Sequence, residues 1–201
     1  MHAGGDRSLL VSAAGRLGLP ELTSNAAVLL FGGIETTEAM IANALLHLLD
    51  DPRQLALVRA DDALLDNAIE ESLRLEPGAA VVDRYASRDV TLGPAGIRRG
   101  DLVTVSLAGA NRDPEVFTEP DVFDVQRANS RLQLAFAHGP QYCLGAHLAR
   151  LETRIALRTL LDRLPGLRLD PQRPSAPRGL VFRKPPTLHA LWTAPSPVHG
   201  V

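Results

Sequence analysis

Several things are scarce in this chain. One cysteine, Cys143, stands among 201 residues, so no intrachain disulfide can form, which suits a reducing cytosol. There is a single lysine, Lys184, and every other basic side chain apart from histidine is arginine. The formal net charge of −2 gives no reason to expect nucleic acid or an anionic membrane surface as a partner. No run of eighteen uninterrupted apolar residues exists, so a membrane span is not expected. The opening MHAGGDRS has no basic region followed by an apolar run, so a signal peptide is not expected and a cytoplasmic location is. G-x-S-x-G, H-E-x-x-H, paired C-x-x-C and a phosphate-binding glycine loop are all missing, which leaves hydrolase, zinc and nucleotide chemistry without support.

What is present is mostly helical periodicity, and it predicts a mainly α fold with small β-sheets in one domain over 1–201. Residues 1–5 and the chain end read as unstructured, and Asp6 to Leu17 as a short helix. A long helix is predicted over about 20–49, with Thr23, Ser24 and Asn25 as capping side chains. Asp51 then caps a short helix whose first residue is Pro52. Another helix is predicted over about 62–75, with Leu65, Ala68, Ile69 and Leu73 on its apolar face. After Pro77-Gly78 the period becomes two, so Val81–Ala86, Asp89–Leu92 and Leu102–Ser106 read as strands. Residues 111–135 show no periodicity and read as a packed meander. A helix over about 144–163 follows. Eight of the fifteen prolines come after it, with short strands expected at 167–169, 180–182 and 187–192.

Three stretches carry polar chemistry. The first is Phe136–Gly145, FAHGPQYCLG. Cys143 is expected at the first turn of the helix over about 144–163, where unpaired N–H groups and the positive helix end favour thiolate over thiol. Gly139 and Gly145 suit close approach of a flat group, and Phe136 offers an apolar wall. The plainer alternative is a small buried hydrophobe. The second is LLFGGIETTEAM in the long helix. Gly32 and Gly33 each cost about 1 kcal/mol against Ala there, and Glu35, Thr36 and Thr37 are polar in an apolar setting. Either another helix packs closely, with a threonine bonded to its own helix carbonyl, or the helix opens beside a flat ligand, with an acid and an alcohol to handle protons. The third is EESLR, in which Glu71 and Arg74 share a helix face and can pair. Separately, Arg150, Arg154 and Arg158 fall at i, i+4, i+8. They form either a solvated basic stripe or a docking face for an acidic electron-transfer partner.

The spacing F-x-x-G-x-x-x-C-x-G, carried by Phe136, Gly139, Cys143 and Gly145, resembles the heme-binding loop of the cytochrome P-450 family. GGIETT resembles the same family's oxygen-activation motif, and E-x-x-R falls between the two as it does in that family. The resemblance covers about residues 20–192 and corresponds to the C-terminal, heme-carrying half of a bacterial member. It implies heme b (iron protoporphyrin IX) with Cys143 as the axial ligand of its iron. Glu35 and Thr36 would hold oxygen on the far side and relay protons to it, and Gly33 would give the heme room. Arg84 matches a strand arginine that pairs with a heme propionate. Gln141 stands where the family usually has His or Arg for a propionate, with His138 nearby, and Ala137 stands where glycine is usual. Glu71 and Arg74 would be scaffolding. Their third partner is usually an arginine of P-x-R-F, but Val122 occupies that place in Pro120–Phe123, and Arg112 is the expected substitute. The implied function is monooxygenation of a small hydrophobic organic substrate with O2, using electrons from a ferredoxin or flavin reductase. The rivals are a non-catalytic heme-binding remnant or interaction module, and a peroxide-driven enzyme. With half of the usual chain missing, exposed apolar surface is expected, and with it self-association or completion by a second polypeptide.

Overall fold

A computed structural model describes residues 9–193. The stretches expected to be unstructured at the two ends lie wholly or almost wholly outside them. The chain divides into two compact units, Met1–Glu35 and Thr36–Val201.

The described part of the first unit is helical. Helix α1 spans Leu9–Ala14 and ends where Arg16 and Leu17 donate to the Ala13 carbonyl. The Gly18 N–H then donates to the Glu21 carboxylate at 2.9 Å, and α2 (Leu19–Asp50, 32 residues) begins. Thr23 and Asn25, expected as caps, instead bond back to the carbonyls of Leu19 and Glu21 inside the helix. Helix α2 runs unbroken through Gly32 and Gly33, so of the two readings of GGIETT the opened helix is not seen. Among the described residues α2 alone is long and apolar enough to cross a membrane. Its second half, however, is core: Ala39, Met40, Ala44, Leu45, Leu48 and Leu49 are buried.

In the second unit that half of α2 packs with α3 (Pro52–Ala60), α4 (Leu64–Leu75) and α6 (Ala146–Arg163). Asp51 caps α3 by accepting from the N–H groups of Arg53 and Gln54. Beyond α4 the chain crosses back over α2 at Gly78, where an added Cβ would lie 3.1 Å from the Thr36 carbonyl oxygen and 3.2 Å from Ala39 Cβ. Any side chain there would push the two segments apart by a few tenths of an ångström. Asn43 fixes the crossing by donating to the carbonyls of Glu76 and Arg183.

The strands are short. β1 (Val81–Tyr85) pairs antiparallel with β4 (Leu102–Ser106), Arg84 lying opposite Val103. β2 (Val90–Leu92) pairs with β3 (Ala95–Ile97). Gly93, at φ 57°, turns the chain tightly enough for Ala95 to start β3. The four-residue α5 (Leu107–Ala110) follows, and near the end β5 (Arg168–Leu169) pairs with β6 (Ala190–Leu191). In place of the strand expected at 180–182 there is an isolated bridge from Phe182 to Ala79.

Residues 111–135 have no ladder, so their backbone groups are met by local turns and by side chains. Asn67 donates to the carbonyls of Val125 and Arg127, Gln54 accepts from Val125 N–H, and Asn111 accepts from Leu134 N–H. Arg74 holds the segment most firmly. Its fully buried guanidinium spends all five N–H groups, two on Glu71 (both 2.8 Å) and three on the carbonyls of Asn111, Pro120 and Val122.

Candidate heme-binding site

The cysteine loop is a closed turn. Cys143 N–H donates to the Phe136 carbonyl at 2.9 Å, and Tyr142 N–H donates to the Gly139 carbonyl at 3.0 Å. Ala137 and Gly139 reverse the chain with φ of 62° and 71°. Residues 138–145 are all exposed, and Cys143 is a free, exposed thiol. Helix α6 starts two residues later than expected, at Ala146, with Gly145 before it as cap residue. Cys143 therefore lies ahead of the helix rather than in its first turn, because its N–H is committed to Phe136.

The loop brings Phe136, His138, Gly139, Gln141, Cys143 and Gly145 together. Phe136 points inward and belongs to the hydrophobic core, so it anchors the loop from beneath. An added Cβ at Gly139 would meet nothing within 4 Å, and one at Gly145 would meet only the Cys143 sulfur, at 3.9 Å. Arg84 is on exposed β1, its Nη1 donating to the neighbouring Asp83 carbonyl at 2.8 Å. On α2, Glu35 and Thr36 are consecutive, and added Cβ atoms at Gly32 and Gly33 would meet nothing within 4 Å. Among the described residues no group of three or more His, Cys, Asp or Glu side chains is placed to hold a metal ion. A single soft thiol on an open glycine-flanked loop fits a metal whose other ligands come from a flat macrocycle, and the donor set here fits heme in that sense.

Behind the loop, the scaffold differs from expectation at one residue. Arg112 pairs with exposed Asp121 at 3.1 Å. The second arginine on Glu71 is Arg127, whose Nε donates to Oε1 at 2.8 Å. A turn closed by Arg127 N–H on the Asp124 carbonyl brings it back towards α4. That turn chemistry was the available signal: Asp124 also accepts from Gln126 N–H.

The arginine stripe of α6 is paired with acids, Arg154 and Arg158 while still partly exposed to solvent. Arg150 binds Glu70, Arg154 binds Asp66 and Asp62, and Arg158 binds Asp62 and Asp162. Acids at 62, 66 and 70 thus face arginines at 158, 154 and 150 in reverse order. The matching i, i+4, i+8 spacing of the two sets was legible in the sequence, but which helix would face which was not. Glu70, Gln133 and Tyr142 are further contributors that the motifs did not point to.

The family described as Cytochrome P450 matches residues 8–190, and the chain belongs to it. Cytochrome P450 monooxygenase PikC of Streptomyces venezuelae is 45% identical over 181 residues, 90% of this chain and 42% of that protein. The biotin biosynthesis cytochrome P450 of Bacillus subtilis is 44% identical over 149 residues, 74% of this chain and 38% of that protein. Among solved structures, P450BioI in complex with a hexadec-9Z-enoic acid ligated acyl carrier protein superposes with a TM-score of 0.83 at 40% identity, covering 89% of this chain and 46% of that one. The tirandamycin C-bound monooxygenase TamI gives 0.83 at 40% identity, covering 92% and 48%. The chain therefore spans less than half the length of these relatives, and its fold is part of theirs.

Proposed function

We propose that this chain carries the heme-holding part of a monooxygenase that acts on a small hydrophobic organic molecule. The observation behind the reading is the free, exposed Cys143 thiol on a closed, glycine-flanked loop in a chain of this family. Cys143 would hold the iron of heme b through its sulfur. Bound there, heme supplies activation of O2 and transfer of one oxygen atom to a C–H or double bond, using two electrons from a ferredoxin or flavin reductase.

The chain's own residues do the rest. Gly139 and Gly145 would keep the loop backbone clear of the macrocycle. Arg84 would bind a propionate by charge and fork geometry. Gln141 would donate an amide N–H to a propionate without charge, and His138 would add a ring N–H. Glu35 and Thr36 act on protons: the Thr36 hydroxyl holds one at Oγ1 and the Glu35 carboxyl replenishes it. A cytoplasmic location follows from this reading.

A second reading, a non-catalytic heme-binding remnant or interaction module, draws on Gln141, an uncharged side chain where the family usually has His or Arg for a propionate. A peroxide-driven enzyme is the third. The test is to add heme to the purified chain, reduce it, add CO and record the difference spectrum beside Cys143→Ser. A strongly red-shifted Soret band that the substitution abolishes is expected. Absence of bound heme, or a spectrum indifferent to the substitution, would overturn the proposal. Turnover with O2 and a reductase, or only with peroxide, then separates the two enzymes.

A further inference from the structure

We infer that Glu70 and Arg150 form the device that holds the Cys143 loop in its ligating shape; the inference rests on the heme-ligand reading of Cys143. The loop is exposed from His138 to Gly145 and makes few hydrogen bonds of its own, so its shape must be fixed from beneath. Arg150 does this. Its guanidinium lies over the Phe136 ring, 4.4 Å from the centroid. One Nη donates to Tyr142 Oη at 3.3 Å and to the Ala146 carbonyl at 3.4 Å. The same side chain thus touches the start of the loop, the residue before the cysteine and the first turn of α6.

Glu70 fixes Arg150 in turn. Its carboxylate, 3% exposed, accepts Nε at 2.5 Å and Nη2 at 3.1 Å, the paired geometry in which a guanidinium fork is strongest. It also accepts from Gln133 Nε2 at 3.0 Å, and Gln133 Oε1 accepts from Ala135 N–H at 2.6 Å, so the strand of chain entering the loop hangs on the same carboxylate. Burial alone would make Arg150 easier to deprotonate, but its bonds to Glu70 and Tyr142 outweigh this and raise its pKa. The other two arginines of the stripe, by contrast, bind only acids of the helices and of the turn before α4. Glu70 and Arg150 are positioning residues: they act on the ligand through Phe136, Tyr142 and Cys143 N–H.

The test is hydrogen exchange of the Cys143 amide in the heme-free 201-residue chain, with interior amides of α4 and α6 as internal reference. Arg150→Gln should speed Cys143 exchange about tenfold or more, the scale of losing a charge-assisted hydrogen bond, with the reference amides nearly unmoved. Arg150→Lys, which keeps charge but not the planar fork, should restore only part of the protection. Arg158→Gln should leave Cys143 exchange unchanged. With Glu70→Gln already present, Arg150→Gln should add little, since the two act as one unit. In the heme-loaded chain, Arg150→Gln should weaken heme retention about tenfold, as loss of a partner behind a ligand does. Unchanged Cys143 protection, or equal loss in loop and helices, would overturn the inference. If Arg150→Gln does not fold, Arg150→Lys and Tyr142→Phe decide by the same comparison. If the unmodified chain takes up no heme, the proposed function fails, while the exchange comparison still decides the role of the pair.

Discussion

Arg127 donates its Nε to Oε1 of Glu71 at 2.8 Å, on a carboxylate that Arg74 already grips with two bonds of the same length. Glu71 is fully buried and Arg127 nearly so. Arg127 also donates to the carbonyls of Thr118, Glu119 and Val122. Two arginines and one carboxylate therefore pin the irregular segment to α4, just ahead of the cysteine loop.

Removing Arg127 should be costly. It leaves Glu71 short of a partner and three carbonyls short of a donor, so Arg127→Ala should lose about 3 kcal/mol, the scale for breaking a buried pair. Arg112→Ala, which breaks a pair with an exposed carboxylate, should lose less than about 1 kcal/mol. Denaturant midpoints of the two variants check the contrast, and equal losses would return Arg112 to the scaffold.

Ala137 sits at φ 62°, a left-handed conformation that its Cβ opposes. Ala137→Gly should relieve the strain and raise stability by about 1 kcal/mol, less whatever glycine adds to the entropy of the unfolded chain. Thermal unfolding of the two proteins measures it, and a lower midpoint for the glycine variant would count against strain at this residue.

Thr153 is fully buried on α6, and its hydroxyl has no hydrogen-bond partner. Burying an unmet hydroxyl costs about 1–3 kcal/mol. Thr153→Val keeps the shape and removes the polar atom, so it should be neutral or stabilising by about 1 kcal/mol. A clear loss on chemical denaturation would mean that the hydroxyl finds a partner, such as a buried water.

His47 packs against Phe123 and bonds through Nδ1 to the Ser72 hydroxyl at 2.9 Å. Burial first, then the charges of Arg112 and Arg74, lower its pKa from 6.5 to about 4. The unfolded chain takes up this proton near pH 6.5, the folded chain only near pH 4, so protons favour unfolding between the two. Stability from this group is complete above about pH 7 and falls with pH, by about 2 kcal/mol between pH 7 and pH 5. His47→Gln should flatten that part of the profile, which unfolding curves at the two pH values would reveal.

The elements with strong local signals were legible in the sequence. Asp51-Pro52 fixed the start of α3 because capping acts over three residues. Alternating residues marked β1 and β4, and the periodicity of α4 put Leu65, Ala68, Ile69 and Leu73 inside, where they are. The cysteine loop could also be found, since its glycines and its single thiol are local features. Tertiary structure alone decided which charges meet. Glu71 takes Arg127 rather than Arg112, from 56 residues away, and Glu70 takes Arg150 from 80. Candidate arginines lie within reach of both acids along the chain. The choice falls to the helix packing and to the turn at Asp124, which place one guanidinium against each carboxylate and take the others elsewhere.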